Sequence, residues 1–203
     1  MLYCCEKFEI KMLKNIAQMS LGHLFRAKPD YVESGGYPVI LMKDVLPSED
    51  IDWSKLVRVR LDEVKDGSFA RRGDVLLKSK GVSHLATCVA EPLEDTVVSA
   101  QLVIIRVEAD NILPEYLAWY INQIPAQQYI EKHSVGTNIR HLSINKIADL
   151  PINVPSLKVQ ETIVALCKLH KREKQIVEQI QGLREKLITA TMLRKIEETI
   201  NVS

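Results

Sequence analysis

The stretch Gly136-Thr137-Asn138-Ile139-Arg140-His141-Leu142-Ser143-Ile144-Asn145-Lys146-Ile147-Ala148-Asp149-Leu150-Pro151-Ile152-Asn153-Val154-Pro155-Ser156 decides how this chain is organised. A polar Gly-Thr loop leads into a short apolar strand at Leu150–Val154, which Pro155 stops. From Ser156 the chain keeps helical periodicity to about Ile200, with no proline and a single glycine, Gly182. Ser156 suits an N-cap, because its hydroxyl can accept an otherwise unpaired backbone N–H. About 44 residues at 1.5 Å each predict a helix roughly 65 Å long, against about 11 residues for an ordinary globular helix.

Apolar residues recur along this segment at Val159, Ile163, Leu166, Leu169, Ile176, Ile180, Leu183, Leu187 and Ala190, at intervals of three and four apart from a gap around Glu173. That is one narrow seam. The other faces carry Lys168, Lys171, Arg172, Lys174, Glu178, Arg184, Glu185 and Lys186. A seam of this width calls for one or two partner helices. A helix packed along its own domain fits less well, because a domain of about 150 residues is too small to cover that length. Glu173 either sets the register of pairing, as lone polar seam residues do, or marks a fray point.

The 203 residues therefore divide into a domain over 1–155 and an arm over 156–203. An apolar content of 46% supports a packed core rather than disorder. No run approaches the ~18 apolar residues of a membrane span, and Met1-Leu2-Tyr3-Cys4-Cys5 meets Glu6 and Lys7 too soon for a secretory signal. Cys4, Cys5, Cys88 and Cys167 have neither zinc-ligand spacing nor a disulfide framework, so a reducing, cytoplasmic setting is expected. Residues 1–155 hold 18 Lys/Arg against 20 Asp/Glu, and 156–203 hold 9 against 6. A nucleic-acid-binding domain is usually basic overall. Any positive surface here must be local, in Arg71/Arg72, in Lys78, Lys80 and His84, or in Lys132, His133, Arg140 and His141.

Along the domain, Phe8, Met12, Ile16 and Met19 have helical spacing, predicting a helix over 7–19 closed by Gly22. Strands are predicted at 37–41, at 56–60 with one wet face, at 75–77, at 85–90 and at 97–107, the most β-branched stretch. Turns are expected at Gly73-Asp74 and Asp66-Gly67. Pro114-Glu115 opens a helix, proline suiting the first position and glutamate the positive end of the dipole. A second helix follows at 126–132 and a helical turn at 143–149. The result is a strand-rich α+β domain with its helices grouped late, then the arm.

Catalytic signatures are missing. The chain has no glycine loop with an Asn/Asp-Pro-Pro-aromatic partner for methyl transfer, no G-x-x-x-x-G-K-S/T and no G-x-S-x-G. Its five histidines have no metal-ligand spacing to cysteines or carboxylates. Pro29-Asp30 followed by Glu63-Val64-Lys65 matches in outline the metal-binding pattern of Mg²⁺-dependent nucleases. That pattern is short, and Glu63 reads as part of a solvated turn.

Several pieces resemble, in order and spacing, one half of a type I restriction–modification DNA specificity (S) subunit. They are Lys14-Asn15-Ile16-Ala17 ahead of Gly22; Tyr37-Pro38-Val39-Ile40 with Lys43-Asp44-Val45; and Arg72-Gly73-Asp74-Val75-Leu76-Leu77 with Lys80-Gly81. Pro114-Glu115-Tyr116-Leu117 follows, then Gly136-Thr137, and finally Leu150-Pro151-Ile152 with Pro155-x-Leu157-x-x-Gln160-x-x-Ile163. Each has a structural reading as well: Trp119 and Tyr120 read as core rather than as base-stacking groups, and Gln160 as a cap or cross-link where strand meets helix.

The resemblance implies a target-recognition domain followed by a coiled-coil-forming spacer helix, and recognition without catalysis. It implies double-stranded DNA and a DNA adenine methyltransferase subunit as partners, the latter carrying S-adenosylmethionine, with a restriction/translocase subunit as a further partner. Base and phosphate contacts need donors, acceptors and cations, which are best supplied by Lys78, Ser79, Lys80, Ser83 and His84, and by Lys132, His133, Ser134, Thr137, Asn138 and Arg140. Lys43, Arg71 and Arg72 are secondary, and each of these residues reads equally as part of a solvated loop. The family usually carries two recognition domains and two spacer helices. One of each here implies a homodimer through Val159, Ile163, Leu166, Leu169, Ile176, Ile180, Leu183 and Leu187, and a palindromic, two-part target. The rival reading is an S-like interaction or decoy protein that occupies methyltransferase or S subunits.

Overall fold

The computed structural model describes residues 9–25, 28–46, 50–92, 94–136 and 139–200, with side chains described as far as residue 195. Its strands in chain order are β1 (Glu9–Met12), β2 (Ala17–Leu21), β3 (Asp30–Val32), β4 (Tyr37–Ile40), β5 (Val57–Arg60), β6 (Val75–Lys78), β7 (Lys80–Gly81), β8 (Ala86–Cys88), β9 (Val97–Val98) and β10 (Leu102–Val107). Helices α1 (Pro114–Ile121) and α2 (Ile124–His133) follow, then β11 (Arg140–His141), α3 (Ile144–Ala148), β12 (Pro151–Val154) and α4 (Leu157–Ile200). Contacts divide the chain into two compact units between Val164 and Ala165. The fold is thus a strand-rich α+β region with a long carboxy-terminal helix, as the sequence predicts.

Strands β6 and β10 form the centre of an antiparallel sheet ordered β2-β10-β6-β8. Successive side chains of a strand point to opposite faces, and here both faces are covered. Val75, Leu77, Val103 and Ile105 enter the larger core, with Leu117, Ile121, Ile130, Ile147 and Ile152. Leu76, Leu102 and Ile104 enter a second core with Ile40, Val45, Ile51 and Val98. Strands buried on both faces read as unbroken apolar runs, and these two do. A second sheet, ordered β3-β5-β4-β9, pairs β4 with β9 in parallel and encloses a small core at Val39, Val59 and Val97. In β5, Val59 is buried and Arg60 exposed, the half-wet strand the alternation predicts.

Two sequence expectations are corrected. The helix expected over 7–19 is instead strand, turn and strand from Glu9 onward; Lys7 and Phe8 lie outside the described residues. β1 pairs with β12 and β2 with β10, while a 3-10 turn at Leu13–Asn15 drives Leu13 and Ile16 into the larger core. Pairing with distant strands overrides the local spacing.

The single strand expected over 97–107 is two. The chain turns at Ser99, where the Leu102 N–H donates to the Ser99 carbonyl (2.9 Å), so that β9 joins one sheet and β10 the other. Gly22 packs directly on the backbone carbonyls of Val98 and Ser99, where any Cβ would collide. The apolar run gives no hint of this corner, because both halves are buried.

α4 starts at Leu157, with the Ser156 carbonyl accepting from Val159 and Gln160 (2.9 and 3.1 Å). Within the first unit, Val159 is half-buried, Ile163 packs against the larger core, and Gln160 and Val164 are buried. In the second unit, every described side chain from Ala165 to Lys195 is exposed or half-exposed.

Candidate nucleic-acid interface

Three of the dispersed sequence motifs, around Lys14, around Pro114 and from Leu150 to Gln160, meet at one joint in the first unit. The Leu13 N–H donates to the Leu150 carbonyl (2.9 Å) and Lys14 pairs with Asp149 (2.8 Å). The Tyr116 hydroxyl donates to the Asn153 carbonyl (2.7 Å). Fully buried Gln160 accepts from the Leu113 N–H (2.8 Å) and donates to the carbonyls of Asn111 and Pro155 (both 2.8 Å), so the cross-linking reading is the right one for it. Asp74 sits in the turn before β6, accepting from the Arg71 N–H (2.9 Å) and pairing with Arg106 (2.9 Å) almost out of solvent. These residues hold a scaffold. Tyr120 is buried and Trp119 lies against the larger core, in the core role expected of them.

The scaffold presents the two best-supplied polar loops side by side. β7 pairs antiparallel with β11, placing Lys80 opposite His141 and Gly81 opposite Arg140. On its other side His141 bridges Val135 through reciprocal backbone bonds of 3.0 and 2.8 Å. Ser79 anchors the base, its N–H and hydroxyl donating to the Gln101 carbonyl (3.1 and 3.0 Å) while its own carbonyl accepts from the Leu142 N–H. Gly136 closes the return at φ +118°, with its Cα against the Ile139 carbonyl; a side chain there would be both strained and blocked.

His84 ties the loops together from beneath. It is 4% exposed, with Nδ1 2.8 Å from the Lys78 carbonyl and Nε2 3.1 Å from the Ser134 hydroxyl. Burial lowers its pKa from the ordinary value, opposed by the bond to Lys78 and reinforced by the charges of Arg140 and His141. The neutral ring therefore donates from Nδ1 and accepts at Nε2, which draws the Ser134 hydroxyl proton away from the Ile130 carbonyl 2.7 Å on its other side. Burial likewise lowers the pKa of the half-buried Lys78 ammonium.

Of the residues singled out from sequence, Lys80, Ser83 and Lys132 are exposed on this tip and Arg140 is partly exposed, paired with Glu131 at 2.9 Å. Ser79 and His84 are buried, and His133 stacks on Tyr129 with centroids 4.1 Å apart. Ser134 serves the His84 link. Thr137 and Asn138 lie outside the described residues. Lys43 is exposed on a 3-10 turn whose Met42 methyl lies beside Gly81, so it borders the tip. Arg71 and Arg72 are exposed at the opposite end of β6, Arg71 paired with Asp66 (2.9 Å), and do not join the cluster.

The tip also exposes apolar residues that the sequence did not single out. Val82, Val135 and Ile139 are 87%, 76% and 70% exposed among these cations. For Val82 and Ile139 the available signal was a lone aliphatic in each of the polar strings Lys78-Ser79-Lys80-Gly81-Val82-Ser83-His84 and Gly136-Thr137-Asn138-Ile139-Arg140. Val135 follows the polar run Glu131-Lys132-His133-Ser134 in the same way. The nuclease-like pattern does not assemble: Asp30 faces Arg60 across β3–β5 (3.5 Å), and Glu63 and Lys65 are exposed beyond the strand. Among the described residues no group of three His, Cys, Asp or Glu side chains is placed to hold a metal ion, and no helix is long and apolar enough to cross a membrane.

The described residues thus carry two four-stranded sheets, a cationic tip at the β7–β11 pair and, later in the chain, a long helix. The Methylase_S family, the type I restriction modification DNA specificity domain, matches residues 5–182, and the chain belongs to that family. Specificity subunits are non-catalytic DNA-recognition proteins.

Among solved structures the chain is similar to the type I restriction-modification S subunit from M. genitalium, with a TM-score of 0.61 and 13% identity over 91% of this chain and 45% of that one. It is also similar to the HsdS subunit from Thermoanaerobacter tengcongensis, with a TM-score of 0.58 and 17% identity over 86% and 40%. A structure concerned with complex assembly and conformational transition of the type I R-M system gives 0.56 and 18% over 86% and 41%. The chain spans less than half the length of each of these proteins. No curated protein matches it by sequence.

Proposed function

We propose that this domain reads a DNA sequence on behalf of a partner DNA adenine methyltransferase, which brings S-adenosylmethionine and the methyl-transfer chemistry. A restriction/translocase subunit joins the same assembly where unmethylated DNA is cut. The observation that carries the reading is the joining of two cationic loops into one exposed tip in a chain of the specificity family. Phosphate contacts fix position and supply much of the affinity, and they need just such unburied cations.

The second unit supplies the symmetry. Leu166, Leu169, Ile176, Ile180, Leu183 and Leu187 form one apolar stripe on a solvated helix, with Leu166 61% and Leu187 68% exposed. A second copy of the chain is the occupant, the two helices pairing antiparallel as a coiled coil. A two-fold axis through that pair imposes a palindromic target in two parts. Light scattering across concentration tests this. The expected result is a dimer that Leu166→Asp/Leu183→Asp converts to a folded monomer, whereas a wild-type monomer at tens of micromolar sinks the dimer.

The near-neutral balance of residues 1–155 favours one second reading, an S-like protein that occupies methyltransferase or S subunits without selecting DNA. Sequence-selective binding in the presence of a methyltransferase subunit separates the two.

A further inference from the structure

We propose that the β7–β11 ribbon is the base-reading element, entering the major groove of double-stranded DNA so that Val82 and Ile139 pack on thymine methyl groups while Lys80, Lys132 and Arg140 contact the flanking phosphates. This rests on the DNA-recognition reading and adds to it the groove, the bases and the residues.

Three observations meet at the tip. The first is shape. Paired strands lie about 4.8 Å apart, so a two-stranded ribbon with its side chains suits a major groove about 12 Å wide and overfills a minor groove of about 6 Å. The ribbon is also anchored at its base. His84 and Ser79 clamp its base, the Val135–His141 bridge extends it, and Gly136 closes the return. Pre-ordering of this kind lowers the entropy lost on binding.

The second is apolar exposure that the fold does not explain. Val82 and Ile139 are 87% and 70% exposed, and they flank Gly81 and Arg140, the facing pair of the ladder. The one aliphatic group on the base edges of DNA is the thymine C5 methyl, and it lies in the major groove alone. Aliphatic side chains have no comparable counterpart in the minor groove or on phosphate.

The third is charge. Lys80 and His141 are exposed on the ladder that the two aliphatics adjoin, and Arg140 is partly exposed. Exposed Lys132 follows Glu131, the partner of Arg140, in the last turn of α2. Exposed Lys43 follows Met42, whose methyl lies beside Gly81. The carboxylates close by are Glu131, paired with Arg140 on the surface, and Asp44, which accepts from the Leu41 N–H. An exposed pair of this type contributes little by itself, so Arg140 exchanges Glu131 for a phosphate at small cost.

The test selects from a randomised duplex library with the full-length chain, at about 50 mM salt where phosphate contacts are strong. Wild type, Val82→Ser and Ile139→Ser are run in parallel. Both side chains are exposed, so the variants should melt with the wild type, which thermal denaturation checks. Each thymine in the wild-type consensus is then replaced by uracil, which removes only the methyl.

Wild-type binding is expected to weaken about four-fold at a contacted thymine, the value of one buried methyl. The matching serine variant should bind thymine and uracil duplexes alike at that position. A wild-type consensus with no uracil sensitivity, or one whose sensitivity survives both serine variants, overturns the ribbon proposal and leaves DNA recognition standing. If the serine variants keep the consensus but lose a methyltransferase subunit, the tip is a protein contact and the proposal fails. A wild-type chain that enriches no sequence, either alone or with a methyltransferase subunit present, overturns the DNA-recognition reading, and this proposal with it.

Discussion

At the scale of single residues, two buried polar side chains connect distant parts of the chain, and each gives a measurable consequence. His84 has a folded-state pKa below its ordinary 6.5. Below about pH 6.5 the unfolded chain therefore takes up a proton that the folded chain refuses. Stability is undiminished above that pH and falls as the pH drops toward the folded-state value. The urea midpoint should decline on acidification from pH 7 to 5, and less steeply in His84→Gln.

Gln160 satisfies the Leu113 N–H and the carbonyls of Asn111 and Pro155 from a position with no exposure. Gln160→Leu keeps the volume roughly and strands those three groups. With about 1–3 kcal/mol for a buried unsatisfied group, a loss of about 3 kcal/mol is expected in urea unfolding. A change under about 1 kcal/mol means that water replaces the amide.

At the scale of elements, much was legible where local chemistry acts alone. α1 starts with Pro114 among its first residues and an acidic Glu115, as written in its sequence, and β6 and β12 fall where short apolar runs are bounded by turn residues. The opening segment was not legible, because β1 and β2 take their hydrogen bonds from strands more than 80 residues away. The corner between β9 and β10 was also invisible, since burial on either sheet looks the same in the sequence.

In α4, Gly182 has open space where a Cβ would stand. Gly182→Ala removes backbone freedom from the unfolded arm and should stabilise the helix by about 0.5–1 kcal/mol. Circular dichroism should show a higher melting midpoint. No rise would mean that the stability of the arm is set by its partner rather than by propensity.

At the scale of the whole molecule, the balance of charge decides how the parts act. A chain with net charge +1 is not drawn to DNA by its overall field, so the proposed reading rests on the local tip and on the proposed pairing of two copies. If dimerisation is coupled to folding, the melting temperature rises with protein concentration. The wild type should show that rise, and Leu166→Asp/Leu183→Asp should melt at one temperature throughout. A concentration-independent wild type points to a different partner helix.

The sequence by itself determined the strand-rich α+β class, the long helix and its apolar seam, because these follow from periodicity, composition and turn chemistry along the chain. The family was legible as a resemblance, in the order and spacing of the scaffold motifs. It also picked out both polar loops that form the tip. Only the tertiary structure decided that those loops, more than 50 residues apart, form one ribbon with Lys80 opposite His141. It also placed Ser79 and His84 beneath the ribbon, and Arg71 and Arg72 at the far end of β6. The reason is physical: a cation's type is local, whereas its exposure and its neighbours are set by strand pairing between distant segments.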